Sequence, residues 1–371
     1  MRIQPFRAVY PNLNYITSAE SFFDSVKTDY NEYKDSGFFE KCYQTGVYIY
    51  RITKANRHYT GIIACSDIRD FNEGNIKKHE HTLAAKEQKQ LQLLLRREAQ
   101  VKPVLLTYEP VPEVEKWVAR NIKKNDIFYE ISFEDQSQTH TFWKVSNPKE
   151  VDKIQALFAK KIPATYIADG HHRTSTLAIL NQRMKKESSD KKYDQLLSAF
   201  FPTTELEVLD FNRVIDGLEE VTLSTFMAKL SQVFDIKILT KPSKPKQKYQ
   251  ILMYVNREWF MLTWRKKVLN KIAKNEPEAL LDAELLNRIV LRDICDIKDV
   301  RTGTQVYYIE GPKGIEGVRR KALKKSDSVG FCLYPVDLKD LMNVADHGRS
   351  MPPKSTWFEP RIKNGLIVLE Y

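Results

Sequence analysis

Residues 163–180 read "PATYIADGHHRTSTLAIL". "PATYIA" is a short apolar strand and the run after Arg173 is the start of a helix, so Asp169 and Gly170 form the turn between them. A helix start leaves backbone N–H groups unpaired and carries partial positive charge, which makes it a natural seat for phosphate. Gly170 lets the backbone approach an anion closely, and His171, His172 and Arg173 add donors around it, the arginine in bidentate fashion. Asp169 could orient a histidine or hold a Mg²⁺ that bridges phosphates. The plain alternative is an Asp-Gly turn whose histidines only cap a helix.

Upstream of this junction, strand and helix signals alternate. "GVYIYRI" (46–52) and "HYTGIIACS" (58–66) are rich in β-branched and aromatic residues around the polar turn "TKANR", which predicts a hairpin. A helix is expected from about Leu83 to Glu98, with Leu83, Leu91, Leu94 and Leu95 as its apolar positions. "VKPVLLTYE", "IFYEISFE" and "THTFWKVS" read as strands and "PKEVDKIQALFAKK" as a helix. Downstream, "QRMKKESSDKKYD" reads as a charged loop, followed by a helix near 223–234 and the strands "FDIKIL" and "YQILMYVN". One helical segment, "EALLDAELLNRIVLRDI", precedes "VYYIEG" and "VGFCLYP"; a last helix follows, with Asp337 as N-cap and Gly348 just past its end.

Composition bounds the function. A chain of 371 residues with 42% hydrophobic and 29% charged residues is globular and long enough for two domains. Its 59 Lys+Arg exceed 48 Asp+Glu, a net charge of +11, which suits anionic partners. Cys42, Cys65, Cys295 and Cys332 are widely spaced, as expected of reduced thiols in a cytoplasmic protein. The start "MRIQPFRAVY" has no apolar core and no long apolar run follows, so neither export nor a membrane partner is expected.

Two further stretches could carry chemistry. In "NIKKHEHT" (75–82), Glu80 stands between His79 and His81 with Lys77 and Lys78 just before it. Neighbouring cations would keep the carboxylate ionised, which suits a general base taking a proton from a hydroxyl. The alternatives are a solvated helix cap with Thr82 as N-cap, or a zinc site shared with His171 and His172. In "MPPKSTWFEP" (351–360), two prolines stiffen a loop presenting Lys354, Ser355 and Thr356, either to a phosphate or carboxylate or as a surface turn. The sequence holds no G-x-x-x-x-G-K-[ST], no G-x-G-x-x-G and no G-x-S-x-G, so a nucleotide here needs another scaffold.

Four stretches together resemble a widespread prokaryotic family catalogued as a domain of unknown function: "IQPFRAV" (3–9), "IKKHEHT" (76–82), "YIADGHHR" (166–173) and "ADHGRSMPPKSTWFEP" (345–360). That family is in turn similar to the free L-serine kinases, which phosphorylate serine to O-phosphoserine on a ParB/sulfiredoxin-like fold. The resemblance implies an α+β chain, with a ParB/sulfiredoxin-like nucleotide-binding core over 1–185 and a mixed α/β lobe over 186–371 closing a cleft. It implies Glu80 as catalytic base with His172 beside it, and Asp169, Gly170, His171, His172 and Arg173 as the nucleotide-phosphate site. Lys354, Ser355 and Thr356 would bind substrate or phosphate; ATP or ADP would be the donor, with Mg²⁺ as cofactor. The rival readings are a non-catalytic nucleotide-binding regulator of ParB type, linked to nucleic acid, and a metal-dependent hydrolase built on the histidines. The Lys/Arg excess is scattered and no helix-turn-helix stands out, so nucleic acid is disfavoured as a partner.

Overall fold

The expected hairpin is the centre of the first sheet. Val47–Lys54 and Arg57–Asp67 pair antiparallel with Lys54 opposite Arg57, and Ala55 in the turn has φ +51°. The computed structural model describes residues 1–134, 137–187, 193–217, 222–275, 281–298 and 305–371. They form two compact units, Met1–Glu207 with Pro360–Tyr371, and Val208–Glu359. The division expected at 185/186 falls inside the helix His171–Glu187, ahead of the strand Gln195–Pro202, which is interior to the first unit's sheet.

Among the described residues that sheet has nine strands. Their order is Ile76–Lys77, Thr165–Asp169, Val104–Tyr108, Gln195–Pro202, Arg57–Asp67, Val47–Lys54, Gln138–Val145 and Ile127–Phe133, with Ile3–Gln4 joined to Arg57–Asp67. Two pairings are parallel, Ile76–Lys77 on Thr165–Asp169 and Val104–Tyr108 on Gln195–Pro202; the sheet is mixed. Side chains alternate across it, so one strand feeds two cores. Val47, Ile49 and Ile62 join Trp117, Ile154 and Phe158 of the helices Pro112–Lys124 and Pro148–Lys161. Tyr50 stacks on Phe142, which stacks on Tyr129, both with centroids 4.4 Å apart. The helix Ala19–Asp35 buries Phe22, Phe23, Val26 and Tyr30, and Phe23 packs edge-on against Phe133.

Among the described residues, the main sheet of the second unit is six-stranded and antiparallel, ordered Phe234–Leu239, Glu258–Trp264, Gln250–Val255, Val329–Leu333, Phe211–Ile215 and Val306–Glu310. Ile215, Met253 and Phe331 bury against Phe226 and Leu230 of the helix Leu223–Val233 and against Leu286 and Val290. Val214, Leu252 and Cys332 pack with Val318 and Ala322 of the helix Gly314–Ala322.

Several sequence expectations change in the structure. Residues 182–187, expected in a charged loop, continue the helix to Glu187; residues 188–192 of that loop lie outside the described residues. The helical segment expected over 278–294 is an α-turn, Asp282–Leu285, followed by a π-helix, Leu286–Ile294, and its residues 278–280 lie outside the described ones. Asp337 occupies the N-cap position without capping, its carboxylate being paired with Lys248 Nζ at 2.9 Å. Thr82 is not a cap either: the helix Ala84–Arg97 begins after Leu83.

Candidate functional site

The strand Thr165–Asp169 is followed by Gly170 at φ +111° and directly by the helix His171–Glu187. A register shift against Val104–Tyr108, between Ile167 and Asp169, turns the strand end out of regular pairing. A Cβ on Gly170 would lie 2.9 Å from Arg173 Nη2 and 3.1 Å from Val104 Cγ2, in a conformation that L side chains avoid. Gly170→Ala is therefore expected to destabilise the first unit by about 1–3 kcal/mol. Urea unfolding checks this; a change within error would show that the turn relaxes freely.

The parallel pairing of Thr165 with Ile76 and Tyr166 with Lys77 lays the His79–Glu80 segment alongside this junction. The His79 backbone N–H donates to His171 Nε2 at 3.4 Å, and the two rings meet edge to face at 84° with centroids 4.4 Å apart. His79 and His171 are only 2% and 6% exposed. Burial pushes the His79 imidazole well below its ordinary value, and pushes His171 down to about 4 despite the nearby Asp169. Both rings are neutral at pH 7, and His171, accepting at Nε2, carries its proton on Nδ1. They are therefore not the cations the sequence suggests. His172 is half-buried; burial, then Lys86, lowers its pKa, and its buried Nδ1 has no hydrogen-bond partner among the described residues. Glu80 is half-buried and His81 exposed.

The charge at the junction sits on side chains more exposed than the His79 and His171 rings. Asp169 is 3.0 Å from Arg173 Nη2, 3.4 Å from Lys102 Nζ and 3.7 Å from Arg361 Nη1. Burial works to raise the Asp169 pKa, but Lys102, Arg173 and Arg361 together hold the carboxyl well below the usual carboxylate range. Arg173 Nη1 also donates to the carbonyls of Lys102 and Pro103, both at 2.8 Å. Arg173 is thus a brace between the Asp169 turn and the chain entering Val104–Tyr108. Asp169 does not fit as a Mg²⁺ ligand, because both its oxygens already face cations. Among the described residues, no group of three or more His, Cys, Asp or Glu could hold a metal, so the zinc reading finds no donor set.

Lys354, Ser355 and Thr356 belong to the second unit. Lys354 is exposed at φ +58°, with Nζ 5.2 Å above the Phe211 ring. Ser355 Oγ donates to Pro352 O at 2.7 Å, which closes the loop on itself. Lys102 and Arg361 are the site residues the sequence reading missed. The one signal for Arg361 is its place just after the "FEP" that ends the fourth motif.

The first unit is thus a mixed α/β fold in which a strand, Gly170 and a helix start meet at Asp169. The chain belongs to the family described as "Protein of unknown function (DUF1015)", whose model matches residues 8–285. No match is found among curated proteins. Among solved structures, SbnI with C-terminal truncation from Staphylococcus aureus is similar at 12% identity and TM-score 0.42, over 81% of this chain and 85% of that one. A free serine kinase in complex with AMP matches at 12% identity and TM-score 0.37, over 80% and 86%. A conserved hypothetical protein from Pyrococcus furiosus matches at 11% identity and TM-score 0.38, over 84% and 95%. Among the described residues no helix is long and apolar enough to cross a membrane.

Proposed function

We propose that the chain is a small-molecule kinase that moves a phosphoryl group from ATP or ADP to the hydroxyl of free serine, on a ParB/sulfiredoxin-like core. The observation that carries this reading is the contact of His79 N–H with His171 Nε2, which sets Glu80 one residue from the helix start. A phosphoryl transfer asks the protein for positioning, charge neutralisation and a proton acceptor. The N–H groups at the start of His171–Glu187 and the unpartnered Nδ1 of His172 supply hydrogen-bonding capacity for phosphate oxygens. Glu80 takes the proton from serine Oγ; the Oγ–P bond forms as the donor's terminal P–O bond breaks, leaving ADP or AMP. Mg²⁺, where used, comes with the nucleotide and screens its phosphates.

Phosphorus NMR with ATP or ADP, Mg²⁺ and a panel of hydroxyl amino acids tests the reading. O-phosphoserine growing with time from either donor is expected. Tight nucleotide binding with no phosphorylated product from any acceptor would replace the kinase by a nucleotide-binding regulator.

A further inference from the structure

Asp169 is one carboxylate facing three cations, Lys102, Arg173 and Arg361, at 3.0–3.7 Å. The hydrogen bonds of Arg173 to two backbone carbonyls and Asp169 fix it as a brace. The Lys102, Arg173 and Arg361 side chains are 22%, 23% and 36% exposed, so solvent reaches all three, and Arg173 is set apart by its two bonds to backbone carbonyls. Burial does most to lower the Lys102 pKa; Asp169 opposes it, and Arg173 and Arg361 add to it. The cluster also adjoins Gly170, where the backbone turns into the helix.

We propose that Lys102 and Arg361 form the phosphate subsite of this centre, holding the anionic end of a nucleotide's phosphate chain, with Arg173 as the positioning residue that holds Lys102 in place. The proposal rests on the nucleotide reading above and adds the residues that bear the charge. It also moves that role from Arg173, which the motif suggests, to two residues outside the motif. Lys102 enters from the loop before Val104–Tyr108, and Arg361 from the segment Pro360–Tyr371 that returns to the first unit.

The test is calorimetric binding of ADP and of adenosine to the full chain, with inorganic pyrophosphate as competitor. Lys102→Gln and Arg361→Gln should each weaken ADP at least about tenfold, as expected for loss of a charge-assisted contact. Adenosine affinity should stay within about twofold and the log–log salt dependence of ADP binding should flatten. Lys102→Arg, which keeps the charge, should retain ADP binding if Lys102→Gln fails to fold. Asp169→Asn removes the competing anion and should tighten pyrophosphate, a direction that a purely structural role for the cluster does not give. Unchanged ADP affinity in both neutral variants, or equal losses for ADP and adenosine, overturns the subsite. Because these are binding measurements, they stand whether or not O-phosphoserine is formed; a chain that binds phosphate here but phosphorylates nothing loses the kinase reading alone.

Discussion

Glu80→Gln is expected to lower O-phosphoserine formation by about 10²–10⁴-fold, the usual worth of a positioned general base. ADP affinity should stay within about threefold, because the amide keeps the shape of the side chain while losing only its basicity. The pair of readouts matters. Glu80 follows His79, whose ring is buried against His171, so a bulky change at 80 could disturb the phosphate seat as well. A loss of turnover with binding intact assigns the base. Equal losses of both would make Glu80 a structural residue, and full activity would remove it from the mechanism. Raising the pH does not rescue the glutamine variant if the proton acceptor itself has gone, whereas a variant slowed only by misplacement keeps the wild-type profile.

The second large effect is acid instability of the first unit. Burial lowers the pKa of His79 well below 6.5, of His171 to about 4 and of His140 to about 3. His140 is fully buried, with Nδ1 2.6 Å from the Tyr50 hydroxyl and Nε2 without a partner among the described residues. Each folded pKa lies below the unfolded value, so the unfolded chain binds more protons in between and stability falls as pH drops below 6.5. The loss is complete only near the folded values. The shift of His171 from 6.5 to about 4 corresponds to about 3 kcal/mol at most, and each of the other two histidines acts in the same direction. Asp282 in the second unit acts oppositely: burial raises it to about 7, against the Tyr249 N–H and Lys248, so its contribution is present at low pH and fades as pH rises through 7. Urea unfolding followed between pH 7.5 and pH 4.5 should show the first unit weakening steadily, with His140→Gln removing part of the slope. A first-unit midpoint that does not change over that range would mean the histidines are not buried as described.

Legibility in the sequence followed the physics of each element. Residues 46–66 announced their hairpin because alternating β-branched and aromatic residues flank a polar turn, and the register Lys54–Arg57 follows from it. Gln195–Pro202 gave no such signal: "QLLSAFFP" is mostly apolar with no alternation, since both faces of an interior strand are covered, and periodicity then says nothing. The helix Ala19–Asp35 carries its apolar stripe on aromatics set among Asp, Glu and Lys, and was passed over for that reason. At the site, the junction at Asp169–His171 was readable from local turn chemistry alone. The burial of His79 was not, because its neighbours Lys78 and Glu80 suggest solvent while the Ile76–Lys77 pairing carries the ring inside. The closeness of Lys102 and Arg361 to Asp169 was hidden for a different reason. Their meeting at Asp169 depends on strand order and on the return of residues 360–371 to the first unit, neither of which is a local property.

The most direct measurement is a crystal structure with ADP bound. Phosphate oxygens are expected on the N–H groups after Gly170, with Lys102 and Arg361 in contact and the Glu80 carboxylate facing the vacant position beyond the terminal phosphate. ADP seated elsewhere on the chain, or with its phosphates turned away from Gly170 and His171, would contradict this placement.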